Sequence, residues 1–295
     1  MEQFLASIQG KANKYKRVSD TPLRYAGGKS LAVGYIAEHL PSNLTKLVSP
    51  FFGGGSFEIA LAKRAGVRVE GYDIFELLVN YWQVQTKQPD ILADVLSTLN
   101  PDKDTYKAIK DYLSDVFWNN LRYSSVTAAA YYFFNHNLSY GPSFLGWPSS
   151  VYLNRARYDK MLNKVRNFSA PIDVKCASFD DVISNSDKDF IYADPPYHLS
   201  GKMFKGIYPQ RNFPIHHNGF DHEKLRDLLH NHKGGFVLSY NDTPIIREWY
   251  SDFEIYEPKW QYTMGQGETR IGQNRKGLTH VKQSHELLIV KKGIK

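Results

Sequence analysis

The chain has 295 residues, 42% of them apolar and 14% aromatic, and Lys and Arg outnumber Asp and Glu by 37 to 30, for a net charge of +7. That length suits one large α/β core with an insertion, or two domains, and a basic, aromatic-rich composition suits a nucleic-acid partner. The single Cys176 excludes an internal disulfide or a cysteine metal cluster, and the absence of an apolar run of about 18 residues or of a signal-like N-terminus predicts a soluble, intracellular protein.

Residues 1–20, with Lys11, Lys14, Lys16 and Arg17, read as a polar N-terminal arm. Gly28-Lys29-Ser30 follows, but a phosphate loop needs a glycine where Leu23 stands and a strand in front, so nucleoside triphosphate binding is not expected. Leu31, Ile36 and Leu40 mark a helix that ends before Pro41. Residues 46–51 read as a strand running into Phe52-Gly53-Gly54-Gly55-Ser56, and Ile59, Leu61 and Ala62 as a helix stopped by Gly66. A second strand, Val67 to Tyr72, ends at Asp73, about where a dinucleotide fold places its ribose-binding carboxylate; an Asp that caps the next helix, through Leu77, Leu78 and Tyr81, is the alternative.

Between Gln83 and Pro171 the strand pattern disappears, and helical stretches around Ile91–Leu99, Tyr106–Leu113 and Thr127–Phe134 predict a mainly α insertion. It carries the aromatic run Tyr131 to Phe134, read mostly as core, then Asn135-His136-Asn137, the loop Ser139–Ser150, and the basic residues Arg155, Arg157, Lys160, Lys164 and Arg166. The apolar run Phe190 to Ala193 reads as a buried parallel strand closed by Asp194-Pro195-Pro196-Tyr197, because two prolines forbid both ladder donation and helix. A carboxylate, two proline carbonyls and an aromatic ring on stiff backbone at a strand's carboxyl end suit an exocyclic amine on a planar base; a solvated Asp in a turn is the alternative. His198–Asn218 reads as a functional or mobile loop, and its His216-His217 lacks any metal-site spacing. Asp221 caps a helix displaying Leu225, Leu228 and Leu229, strands follow at Phe236–Tyr240, Phe253–Tyr256 and Glu286–Val290, and a basic glycine-rich loop spans Trp260–Gln283 with Arg270 and Lys276.

Tyr25-Ala26-Gly27-Gly28-Lys29, Phe51-Phe52-Gly53-Gly54-Gly55-Ser56, Asp73 and Asp194-Pro195-Pro196-Tyr197, in this order, resemble the DNA adenine methylase (Dam-like) family of S-adenosylmethionine-dependent amino-methyltransferases, over residues 21 to 291. The resemblance implies a Rossmann-like α/β fold with a mostly parallel seven-stranded sheet, a catalytic domain of residues 21–83 and 171–295, and a helical target-recognition domain at 84–170. It implies that Tyr25, Lys29, Phe52, Gly53, Gly54 and Gly55 lie beside the methionine part of the cofactor, that Asp73 holds the ribose, and that Phe179 and Asp180, or equally Asp181, read its adenine. Asp194, Pro195, Pro196 and Tyr197 would hold the target base, with Asp194 also facing the cofactor. Asn135, His136, Asn137, Arg155, Arg157, Lys202, Arg270 and Lys276 would contact double-stranded DNA, although Asn135-His136-Asn137 departs from the family's Asn-Arg segment. No metal is implied. A cognate restriction endonuclease, a monomer and a cytoplasmic location are the further expectations, with cytosine N4 methylation or a non-catalytic DNA-binding module as alternatives.

Overall fold

The computed structural model describes residues 1–11, 14–198, 219–258 and 286–293; the expectations for Lys202, His216, His217, Arg270 and Lys276 lie outside those residues. Seven strands form one sheet in the order β3-β2-β1-β4-β5-β7-β6, comprising β1 (Lys46–Ser49), β2 (Arg68–Asp73), β3 (Ile172–Cys176), β4 (Ile191–Ala193), β5 (Phe236–Asn241), β6 (Glu254–Tyr256) and β7 (Glu286–Lys291). β4 runs parallel to β1 and β5, and β3 parallel to β2, whereas β7 is antiparallel to both β5 and β6. The mostly parallel seven-stranded α/β sheet expected from the sequence is therefore present. Among the described residues no helix is long and apolar enough to cross a membrane.

The chain divides into two compact units. One comprises Met1–Val18, Lys29–Phe51 and Ser178–Lys295. Its core strands β4 and β5 are buried along their whole length, the continuous apolar pattern of strands covered on both faces. Asp221 accepts from Lys224 N–H at 2.8 Å and so caps the helix His222–Asn231, while Thr243 caps the short helix Pro244–Trp249. The N-terminal stretch differs from the polar arm expected of it. Glu2–Ser7 is helical, Phe4, Ile8, Tyr15 and Val18 are buried, and the Tyr15 ring lies so close to Gly34 that an added Cβ would stand 2.1 Å from it. Four apolar side chains dispersed among lysines are enough to anchor the segment.

The second unit comprises Ser19–Gly28 and Phe52–Ala177. Strand β2 packs against the helices Ser56–Ala65 and Glu76–Lys87, and then come the helices Pro89–Ser97, Lys103–Trp118, Ser125–Leu138 and Arg155–Arg166. Tyr132, Phe133 and Phe134 are buried, as read from the sequence. The edge strand β3 had no clear sequence signature, because Val174 is its one buried residue. Within β2 a glycine is required at position 71, where a Cβ would stand 2.3 Å from the Phe52 ring. Gly71→Ala should destabilise the protein by about 1–3 kcal/mol through overpacking. Urea unfolding followed by circular dichroism would show this, and an unchanged midpoint would mean that Phe52 does not pack on the strand.

Candidate active site

In the first unit, β4 delivers Asp194 to the carboxyl end of the sheet. The ladder between β4 and β5 stops at Ala193 opposite Leu238, and the two prolines then hold the chain extended. Pro195 is buried, while Asp194, Pro196 and Tyr197 are partly exposed. Lys29, itself only 4% exposed, places its ammonium 2.8 Å from the Asp194 carboxylate, donates to the Tyr197 hydroxyl at 3.3 Å and lies 3.8 Å from Glu286. The Tyr197 ring faces Tyr240 with centroids 6.5 Å apart, and the Tyr240 hydroxyl is bonded to His222.

One cation between two carboxylates, the partly exposed Asp194 and the buried Glu286, can fully compensate only one of them. Burial holds the Asp194 carboxyl above its usual range, and the adjoining Lys29 offsets only part of that rise. Burial pushes Glu286 up from 4.5 to about 8; Lys29 opposes this, and the Asp194 charge adds to it. With Lys29 2.8 Å from Asp194 and 3.8 Å from Glu286, the arrangement favours the negative charge on Asp194 and the proton on Glu286. Asp194 is then an acceptor, as amine binding requires. Glu286 was not singled out from sequence, since an acid opening an apolar strand gives no hint of a partner 257 positions away. Lys29, expected beside the cofactor, is brought to Asp194 and Tyr197.

In the second unit the glycine turn and Asp73 come together. The Asp73 carboxylate accepts from Gly53 N–H at 2.9 Å and Phe75 N–H at 3.0 Å, which ties the glycine turn to the segment that leads into the next helix. Trp82 donates to Gly53 O at 2.9 Å and Thr21 to Gly54 O at 2.8 Å. A Cβ at Gly53 or Gly54 would meet Tyr25 at 2.9 or 2.4 Å, and one at Gly55 would meet the Phe52 ring at 2.6 Å. The glycines therefore let Tyr25 and Phe52 close on the turn. This donor set fits a cofactor with a ribose diol: a carboxylate held by two backbone amides at the end of β2, next to a turn whose backbone has no Cβ cover.

Phe179 belongs to the first unit, where its ring packs on Phe51 and Phe220 at 5.6 and 5.0 Å between centroids. Asp180 is ion-paired with Lys224 and accepts from Ser178, and these bonds hold its carboxyl well below the usual range.

Asn135, His136 and Asn137 require correction as DNA-contacting residues, because all three are buried. Asn135 Oδ1 accepts from Leu145 N–H at 2.7 Å. Asn137 accepts from Arg24 N–H at 2.8 Å and donates to Pro22 O at 3.3 Å. His136 stacks between Tyr25 and Tyr132, and burial lowers it to about 3, keeping the ring neutral. Side chains committed in this way to packing and to the chain's own backbone do not reach base edges. Arg155 and Arg157 are exposed in the first turn of helix Arg155–Arg166, Arg155 pairing with Asp159 at 2.9 Å.

Glu286 generates a pH-dependent stability. Its proton is held up to about pH 8 in the folded state but only to about 4.5 in the unfolded chain, so between those values the folded state binds more protons. Stability should therefore fall as pH rises through that window, by up to about 1.4 kcal/mol per unit for one proton. Glu286→Gln should flatten this fall in urea titrations between about pH 5 and 8. Equal slopes in parent and variant would contradict the protonated state assigned to Glu286.

Residues 25–264 match the model of the D12 class N6 adenine-specific DNA methyltransferases. The Type II methyltransferase M1.LlaDCHI of Lactococcus lactis subsp. cremoris is 25% identical over 262 residues, spanning 82% of this chain and 88% of that protein. The Type II methyltransferase M.MjaIII of Methanocaldococcus jannaschii is 27% identical over 199 residues, 59% of this chain and 68% of its own length. The modification methylase StsI of Streptococcus sanguinis is 24% identical over 241 residues, 76% of this chain but 36% of that protein. The family match sets aside the cytosine and non-catalytic alternatives. Covering most of the chain, it shows that the protein belongs to the D12 class of N6 adenine-specific DNA methyltransferases, S-adenosylmethionine-dependent enzymes that act on DNA.

Proposed function

We propose that the chain methylates adenine at one short sequence of double-stranded DNA, drawing the target base out of the duplex, stacking it on Tyr197 and holding its amine on Asp194. The observation that carries this reading is the buried Lys29 ammonium 2.8 Å from Asp194 at the end of β4. The N6 lone pair of adenine is delocalised into the ring, so the amine must be turned toward tetrahedral geometry to react. A hydrogen bond from the amine to an ionised Asp194, and a second to the Pro195 carbonyl, favour that geometry and align the lone pair. Lys29 favours the ionised form of Asp194 and is itself almost fully covered. Extrusion of the base costs a few kcal/mol, recovered in part by stacking on Tyr197.

S-adenosylmethionine, when bound, supplies the methyl group as an activated sulfonium. For its binding we assign Tyr25, Phe52 and Gly53–Gly55 to the methionine part, Asp73 to the ribose hydroxyls, and Phe179 with Asp180 to the adenine. Asp180, braced by Lys224 and Ser178, is the better-defined acceptor beside the exposed Asp181. We assign residues 84–170 to target recognition and the remainder from residue 21 to catalysis. The exposed Arg155 and Arg157 would meet phosphates, and the same role is proposed for Lys202, Arg270 and Lys276. The names of the relatives, Type II methyltransferases and a modification methylase, support a place beside a restriction endonuclease. A monomer acting in the cytoplasm, where cellular DNA is accessible, completes the reading.

Four substitutions test it. Asp73→Ala should lower cofactor affinity by about 1.5–3 kcal/mol, the range for hydrogen bonds to a charged group, and calorimetric titration giving parent affinity would remove Asp73 from the cofactor site. Asp194→Ala should abolish most methyl transfer while leaving cofactor binding near parent. Tyr197→Ala should lose the stacking surface, worth about 1–3 kcal/mol per base, and reduce the 2-aminopurine signal of an extruded base. Tyr197→Phe should retain more activity than Tyr197→Ala, because it keeps the ring while giving up the bond from Lys29. Near-parent methylation by Asp194→Ala would overturn the proposed division of roles.

A further inference from the structure

Asn241 ends β5 with its side chain almost buried. Its amide closes a two-bond ring with the backbone of His198: His198 N–H donates to Asn241 Oδ1 at 2.9 Å, and Asn241 Nδ2 donates to His198 O at 2.9 Å. Direct pairing between β4 and β5 has stopped at Ala193, and Pro195 and Pro196 have no N–H with which to continue it. The Asn241 side chain thus stands in for a ladder partner on the residue that follows Tyr197. The antiparallel register sets Asn241 opposite Glu286. Glu286 reaches Lys29, which holds Asp194. One cross-strand pair of β5 and β7 therefore supports the tetrapeptide from both ends.

We propose that Asn241 is a positioning residue for methyl transfer: its amide fixes the chain just past Tyr197, so that Asp194 and Tyr197 keep the spacing the target amine and base require. This rests on the reading of Asp194–Tyr197 given above. Because the amide acts through backbone and touches neither reacting group, its loss should appear in kcat rather than in cofactor affinity.

Asn241→Ala should lower the single-turnover methylation rate on duplex DNA by about 10- to 100-fold, as small misplacements do, with calorimetric affinity for S-adenosylmethionine within about twofold of parent. Asn241→Asp gives a sharper signature. An ionised carboxylate accepts from His198 N–H but cannot donate to His198 O, whereas a protonated carboxyl restores both bonds. The ratio of Asn241→Asp to parent rate should rise several-fold as pH falls from about 8.5 to 6, the range over which a buried carboxyl regains its proton. The titratable groups around the clamp are Glu286 opposite Asn241, His198 itself, and His222 against the His198 ring. All three remain in the parent and in Asn241→Ala, whose ratio should stay flat over the same range. A parent rate for Asn241→Ala, a flat ratio for Asn241→Asp, or a loss of cofactor affinity as large as the loss of rate would overturn the proposal. Asp194→Ala measured alongside separates the two levels. Its activity would sink the reading of the tetrapeptide, whereas its inactivity beside a parent-like Asn241→Ala would sink the clamp alone.

Discussion

A lysine buried between two carboxylates is the constraint on which the catalytic end of the sheet depends. Burying an ammonium costs several kcal/mol unless charge and hydrogen bonds compensate it. Lys29 obtains that compensation from Asp194 at 2.8 Å, with the Tyr197 hydroxyl and Glu286 farther off. The consequence runs in both directions. The lysine pairs most closely with Asp194, and the acid at position 286 keeps its proton because it is buried and the Asp194 charge lies nearby. On the proposed reading, the acceptor for the target amine is prepared before any base arrives, as electrostatic preorganisation demands.

A different kind of constraint, steric rather than ionic, shapes the turn after Phe52. Three glycines let Tyr25 and Phe52 lie against the turn, and Asp73 ties it to the end of β2 through the Gly53 amide. The same carboxylate holds Phe75 N–H, so the turn and the start of the following helix share one anchor. A side chain added at any of these glycines would have to displace an aromatic ring.

Much of the architecture was legible because it rests on local rules. The Pro-Pro step had to end β4, Asp221 had to begin a helix, and glycine turn, strand and terminal Asp had to follow one another at the spacing found. What was not legible depends on distant partners. Asn135, His136 and Asn137 look like a polar reading head in sequence, yet Arg24, Pro22 and Tyr25 claim Asn137 and His136 from more than 100 positions away. Glu286 looked like the ordinary start of a strand and Asn241 lay just past the end of one, and only the register of β5 on β7 pairs them. The N-terminal segment was misread for a different reason. Lysines dominate its composition, while the four residues that anchor it are spaced too widely to form a run. Helix Arg155–Arg166 does carry a pattern, Tyr158, Leu162 and Val165 on one buried face, but its basic residues draw the eye first.

The central claim is that Asp194, held ionised by Lys29, orients an adenine amine for methylation within one short DNA sequence. Single-molecule sequencing of DNA from a host expressing the chain tests this most directly, because it reports the modified base and its context together. The account predicts N6-methyladenine confined to one short sequence context, and unmodified DNA from a host expressing Asp194→Ala. N4-methylcytosine, or N6-methyladenine that persists with Asp194→Ala, would contradict it.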